Sequence, residues 1–183
     1  FLVRKGNPKG IKDWPDLVAS GVSVVTPNPL SSGSAQWNLL APYAAASDGG
    51  KNPAAGLAYV SSLVKDHIHS QPASAAEASE SFRQGTGDVL LSYENEAIAA
   101  VKAGDAVEYV VPPQTFKIEN AVAVVSKSSH PDAARAFVAY VESPSGQEAV
   151  ARAGYRPADA SVLAAHPEFV QPAKLWTIAD LGG

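Results

Sequence analysis

Short runs of β-branched and apolar residues alternate along this chain with longer stretches of helical spacing, and few architectures accept that alternation. Val22-Ser23-Val24-Val25-Thr26 is a strand candidate ended by Pro27-Asn28-Pro29, and residues 35–46 are rich in Ala and Leu and read as a helix. Residues 54–67 place Leu57, Val60, Leu63 and Val64 at helical i, i+3, i+4 spacing, and residues 74–84 predict a further helix. Val89-Leu90-Leu91-Ser92-Tyr93 reads as a buried strand, followed by a helix over residues 94–103. A strand over 107–111 stops at Pro112-Pro113, and another is predicted over 121–125. Pro131 opens a helix reaching residue 141, and Ser143-Pro144 opens one that runs to Gly154. The tail reads as loop and short helix. Strands that alternate with helices predict an α/β fold with parallel members in its sheet.

Composition narrows the function classes. Apolar residues make up 46% of the 183 and charged residues 17%, a globular balance with no run of eighteen apolar residues. The formal net charge of −4 argues against nucleic acid, which needs a basic face, but leaves an anion open as a ligand. With no cysteine, disulfide frameworks and thiolate chemistry are excluded. There is no methionine, and the opening Phe1-Leu2-Val3-Arg4-Lys5 has the pattern of a strand interior, so the chain is read as part of a longer polypeptide.

The most informative segment runs from Val22 to Trp37. A strand enters a Pro-Asn-Pro turn and then meets Leu30-Ser31-Ser32-Gly33-Ser34 at a helix start. The first N–H groups of a helix have no partner within it, and the helix dipole adds partial positive charge there. Glycine allows close approach to backbone, and serines add hydroxyl donors. Ser32, Gly33, Ser34 and Ala35 thus form a candidate oxyanion cradle. Serines are also the commonest helix caps, and from this segment alone capping is the more frequent explanation. The second junction is Gly87 to Glu96, where Tyr93 falls at the carboxyl end of its strand, the edge at which open α/β sheets bind ligands. A tyrosine at the border of the core accounts for Tyr93 equally well.

Enzyme signatures are weak. Neither a G-x-S-x-G elbow nor a phosphate loop ending in Gly-Lys-Ser/Thr is present. His67 and His69 read as residues near a helix end, and His130 and His166 each precede a proline and read as loop. No metal site and no cofactor are expected.

At the two junctions the sequence resembles the periplasmic sulfate-binding proteins, receptors of sulfate and thiosulfate importers. The resemblance runs nearly the whole chain. It rests on residues 1–14, on Val25-Thr26-Pro27-Asn28-Pro29, and on Ser32-Gly33-Ser34-Ala35-Gln36-Trp37-Asn38, which together are specific. Residues 87–97, Ser143-Pro144-Ser145-Gly146-Gln147 and Gly154-Tyr155-Arg156-Pro157 recur more loosely among oxyanion receptors. The resemblance implies a two-lobed receptor of the class II periplasmic-binding-protein fold, closing on its ligand by a hinge. It implies capture of sulfate by neutral donors at helix starts and no enzymatic activity. The family's serine-glycine-glycine maps onto Ser32, Gly33 and Ser34, its tryptophan falls on Tyr93, and a further backbone donor falls near Ala78. Residues 1–5 are then a hinge-crossing strand, 6–112 the second lobe, and 113–183 a return crossing that completes the first lobe, whose N-terminal part lies outside this chain. Apolar surface on residues 121–125 and 131–141 is expected to face that part.

Sulfate is fully ionised near neutral pH and only accepts hydrogen bonds, so a site built of donors satisfies it completely. A phosphate carries a proton that such a site leaves unpaired, at a cost of about 1–3 kcal/mol. The partners expected are the sulfate ion and a membrane-embedded ABC permease, with no nucleic acid, in a monomer located in the periplasm or at the cell surface, with or without a lipid anchor. A receptor for thiosulfate, molybdate, phosphate or an organic anion is the alternative within the class. A sulfatase- or phosphatase-type enzyme, or a structural fragment, is the alternative outside it.

Overall fold

The computed structural model describes residues 1–183. The chain divides into two compact units, the first formed by Phe1–Ile118 with Pro172–Gly183 and the second by Glu119–Gln171.

The first unit is built on a five-stranded sheet. In chain order its strands are β1 (Leu2–Arg4), β2 (Val24–Val25), β3 (Ile68–Ser70), β4 (Val89–Leu90) and β5 (Val107–Tyr109), and the spatial order is β3-β2-β4-β1-β5. Strand β2 is parallel to both β3 and β4, while β1 runs antiparallel to β4 and β5. Val24, Val25, Val89 and Leu90 are all buried, which is why the central strands read as continuous apolar runs without alternation. The parallel strands are connected through α2 (Gly33–Ala46), α3 (Pro53–Ser62) and α4 (Ala75–Arg83), with α5 (Glu94–Lys102) after β4; α1 (Trp14–Leu17) is a short capped turn between β1 and β2. A π-helical turn over Leu63–His67 extends α3, so the helix expected over 54–67 is continuous but changes winding. His69 belongs to β3, which the sequence pattern does not reveal, because Ile68-His69-Ser70 offers one apolar residue.

Two devices hold the ends of the interior strands β1 and β4. Arg4 leaves β1 and donates to the carbonyls of Phe82 (2.7 Å), Thr86 (2.8 Å) and Gly87 (2.7 Å), with its guanidinium 3.8 Å over the Phe82 ring. Burial lowers the Arg4 pKa below its ordinary value, and Asp88 opposes that shift. At Gly87, φ is +71° and a Cβ would meet Val25 Cγ2 at 2.6 Å, so the turn into β4 admits only glycine. A second, two-stranded parallel sheet pairs β6 (Gln114–Phe116) with β7 (Lys174–Trp176). It packs on α2, with Trp37 and Phe116 ring centroids 5.4 Å apart. Residues 113–118 and 172–183, grouped from the sequence with the C-terminal part, therefore pack inside the first unit.

The second unit is helical: α6 (Pro131–Glu142), α7 (Pro144–Arg152) and α8 (Ala160–Ala164). Ser143 ends α6 and caps α7, accepting from Gly146 N–H at 3.2 Å. A Cβ on Gly146 would lie 2.0 Å from the Tyr140 carbonyl oxygen, so glycine permits this tight joint. The strand predicted over 121–125 does not form; the segment is irregular, with Val125 70% exposed. A β run needs a ladder to satisfy its backbone, and this unit supplies no neighbouring strand. Helix α6 buries none of its residues, and Phe137 is 62% exposed.

Candidate anion-binding site

The parallel orientation of β3, β2 and β4 brings the starts of three helices to one end of the sheet. Helix α4 follows β3, α2 follows β2 and α5 follows β4. A small cleft lies there, lined by Ser34 of α2, Ala75, Ala78 and Ser79 of α4, and Ser92, Tyr93 and Glu96 at the start of α5. Open α/β sheets bind ligands at this carboxyl edge, and the three helix dipoles add positive potential with no basic side chain among the lining residues.

The start of α2 is held from below. Buried Asn38 donates to Thr26 Oγ1 at 3.0 Å and to the Leu91 carbonyl at 3.1 Å, tying the helix to the ends of β2 and β4. Ser31 Oγ donates to the Ala73 carbonyl at 2.7 Å and Asn28 N–H to Pro72 O at 2.8 Å, joining the loops before α2 and α4. Ser31 is thus a structural tie between loops.

Helix capping does not account for Ser32. It occupies the N-cap position, yet its side chain makes no capping bond. Its Oγ lies 2.8 Å from Ser34 Oγ instead. The N–H groups of Gly33 and Ser34 have no acceptor within the protein, whereas Ala35 N–H donates to Ser32 O at 3.2 Å. Ser34 is 9% exposed and lines the cleft, and a Cβ on Gly33 would meet nothing within 4 Å. The structure therefore brings Ser34, Tyr93 and Ala78 together around one cleft, with Ser32 and Gly33 next to it on the α2 side.

Ala78 lines the cleft, but its N–H donates to the Ser74 carbonyl at 3.0 Å. The α4 N–H groups without an acceptor are those of Ala75 and Ala76, nearly one turn earlier. The sequence carried a signal for this: Ser74-x-x-Glu77 is a helix-start signature, and Ser74 Oγ does accept from Glu77 N–H at 3.2 Å. Tyr93 is the N-cap residue of α5 and its side chain makes no capping bond. Burial raises the Tyr93 pKa, and the nearby Glu96 carboxylate adds to the shift, so the phenol stays protonated and able to donate.

Glu96 was not foreseen. Of the carboxylates near Tyr93, Asp88 accepts from Ser23 N–H at 2.9 Å and lies 3.9 Å from Lys9 Nζ, outside the cleft lining. Glu96 lines the cleft and accepts from Ser92 Oγ at 3.3 Å. The cleft is donor-rich with one carboxylate at its edge.

A family model described as bacterial extracellular solute-binding protein matches residues 1–156. The chain belongs to that family. Among curated relatives of this solute-binding chain, the sulfate-binding protein of Escherichia coli (strain K12) is 41% identical over 192 residues, which cover 100% of this chain and 58% of that protein. The sulfate-binding protein of Synechococcus elongatus is 38% identical over 193 residues, covering 100% and 54%. The thiosulfate-binding protein of Pseudomonas aeruginosa is 35% identical over 170 residues, covering 90% and 51%. The chain thus spans little more than half the length of these relatives. Among solved structures, the sulfate-binding protein SubI from Mycobacterium tuberculosis H37Rv superposes with a TM-score of 0.92 at 57% identity, covering 100% of this chain and 64% of that one. A periplasmic thiamin binding protein superposes at 0.70 with 20% identity and shares the fold. The α/β fold is that of the periplasmic binding proteins.

Proposed function

We propose that this chain is the larger part of an extracytoplasmic receptor that captures sulfate and delivers it to a membrane-embedded ABC permease. The observation that carries this reading is the convergence of three helix starts on one cleft, with unpaired N–H groups at Gly33, Ser34, Ala75 and Ala76 and a protonated phenol at Tyr93. Such a site offers donors in excess of acceptors and holds a dianion without a cationic side chain. The names of its relatives favour the same ligand, and their greater length supports a second lobe that closes over the cleft and supplies the remaining donors. In this scheme residues 1–5 cross the hinge, residues 6–112 with 113–118 and 172–183 form the lobe bearing the cleft, and residues 119–171 belong to the other lobe. The receptor binds and releases without chemistry, a reading supported by the names of its relatives as binding proteins.

The thiosulfate-binding relatives make thiosulfate a ligand to compare. Glu96 favours a second reading, since a carboxylate accepts the proton of a hydrogen-bearing oxyanion such as phosphate. Calorimetric titration of the full-length receptor with sulfate, thiosulfate, molybdate and phosphate decides among them. Sulfate is expected to bind most tightly, with affinity level between roughly pH 5 and 8, because neither the anion nor the proposed donors titrate there. Preference for phosphate, or a steep pH dependence, would overturn the donor-based account.

A further inference from the structure

We infer that Leu30 is the apolar seat on which the part of the receptor outside this chain closes, so that its side chain sets how long a captured anion is held. The inference rests on the receptor reading above.

Residues 17–47 and 70–76 include both loops that lead into α2 and α4, and they contain no Asp, Glu, Lys or Arg, although such residues make up 17% of the chain. Depletion of charge marks surface that becomes buried on association. Exposed in these loops and the helix starts after them are Leu30, Gly33, Ala73 and Ala76. Leu30 is 95% exposed, more than any other large hydrophobic residue of the chain. Its loop cannot fold down to hide it. Leu30 N–H donates to Asn28 Oδ1 at 2.9 Å, and the N–H groups of Ser31 and Ser32 donate to the Asn28 carbonyl at 3.1 Å and 2.9 Å. Ser31 Oγ and Asn28 N–H tie the same loop to Ala73 and Pro72. None of these bonds uses the Leu30 side chain. Glu77, the first charge after the second loop, bends back to Ala73 N–H at 3.3 Å and Ser74 Oγ at 3.2 Å, which leaves this rim neutral.

The position of Gly33 says what covers Leu30. Gly33 N–H has no acceptor within the protein, and Gly33 is exposed, three residues from Leu30. Donors without formal charge hold a dianion firmly only where water is kept out, because a high dielectric weakens every such attraction. Three residues span at most about 10 Å, so a body that seals Gly33 also meets Leu30. The greater length of the relatives puts that body in the same receptor. Leu30 then stands in water in the open state and against protein in the closed state, and the hydrophobic effect favours closure. Ligand leaves through the open state, so the release rate carries the effect.

The test compares the full-length receptor with its Leu30→Ser and Leu30→Met variants, using sulfate as the probe. Calorimetry reads affinity, stopped-flow mixing reads release, and thermal unfolding without sulfate checks the fold. Leu30→Ser is expected to unfold with the parent and to lose affinity by about ten- to a hundredfold, most of it as faster release. Leu30→Met keeps the apolar bulk and is expected to stay within about fivefold of the parent. Parent-like affinity in the serine variant overturns the inference and leaves sulfate capture standing; if that variant also fails to drive import through the reconstituted permease, Leu30 meets the permease instead. Equal losses in both variants, a loss confined to association, or a serine variant that unfolds early each overturn it too, because loop shape or packing within the lobe then accounts for Leu30. A parent receptor that binds no sulfate overturns this inference and the receptor reading together.

Discussion

Gly33→Asp separates the stability of the fold from the binding of the anion, because the two should move in opposite directions. Gly33 is the first residue of α2, and a Cβ there meets nothing within 4 Å. The substitution therefore creates no clash inside the protein. Replacing glycine in a helix is worth about 0.5–1 kcal/mol, and a carboxylate in the first turn adds about 0.3–1 kcal/mol through the helix dipole. Stability should stay level or rise by about 1 kcal/mol. Binding should collapse. A carboxylate about 5 Å from a bound dianion repels it by about 1.7 kcal/mol with the dielectric of water and about 7 kcal/mol at an effective value near 20. The first figure already means a loss of about fifteenfold, and the second abolishes measurable affinity. Gly33→Asn provides the control, since it matches the aspartate in shape without its charge; the affinity difference between the two variants reports the electrostatic part alone. The assay is calorimetric titration with sulfate, beside thermal unfolding of each variant. A Gly33→Asp receptor that is folded and binds sulfate as the parent does would remove the start of α2 from the site and refute the reasoning.

Tyr93→Phe keeps the ring and removes the phenol hydroxyl from the start of α5. A hydrogen bond to a charged group is worth about 1.5–3 kcal/mol, so sulfate affinity should fall by about ten- to a hundredfold, and unchanged affinity would return Tyr93 to a role at the border of the core. Asn38→Ala strands Thr26 Oγ1 and the Leu91 carbonyl in a buried place and should cost about 1–3 kcal/mol in urea unfolding; a cost below about 0.5 kcal/mol would show that α2 is anchored elsewhere. In the second unit, His166 is 14% exposed and lies between Glu148 (3.0 Å) and Glu168 (3.1 Å), whose hydrogen bonds raise its pKa. Its contribution to stability is complete below the ordinary histidine value of roughly 6.5 and fades as pH rises through the higher folded value. Thermal unfolding from about pH 5.5 to 8.5 should show that loss and His166→Gln should remove it; an NMR titration that puts His166 at or below its ordinary value would contradict the ion-pair geometry.

The α/β alternation, the helix starts at Gly33, Ala75 and Glu94, and the joint at Ser143-Pro144 were legible in the sequence, because periodicity, capping residues and prolines act over a few residues of chain. The same local logic found Ser32-Gly33-Ser34 and Tyr93. It went no further at the site because serine at a helix start has two uses, and which one holds depends on what the hydroxyl meets. Only in the folded chain does Ser32 turn from capping the backbone to the Ser34 hydroxyl, Ser31 tie itself to Ala73, and Glu96 reach the cleft while Asp88 turns to Ser23. Strand pairing is non-local in the same way. Residues 121–125 have the composition of a strand and no neighbour to pair with, whereas Gln114–Phe116 and Lys174–Trp176 look unremarkable and pair across 60 positions of sequence (114 to 174). Local propensity determined where each helix begins; the order β3-β2-β4, which no short window of sequence contains, decided that three of those beginnings meet.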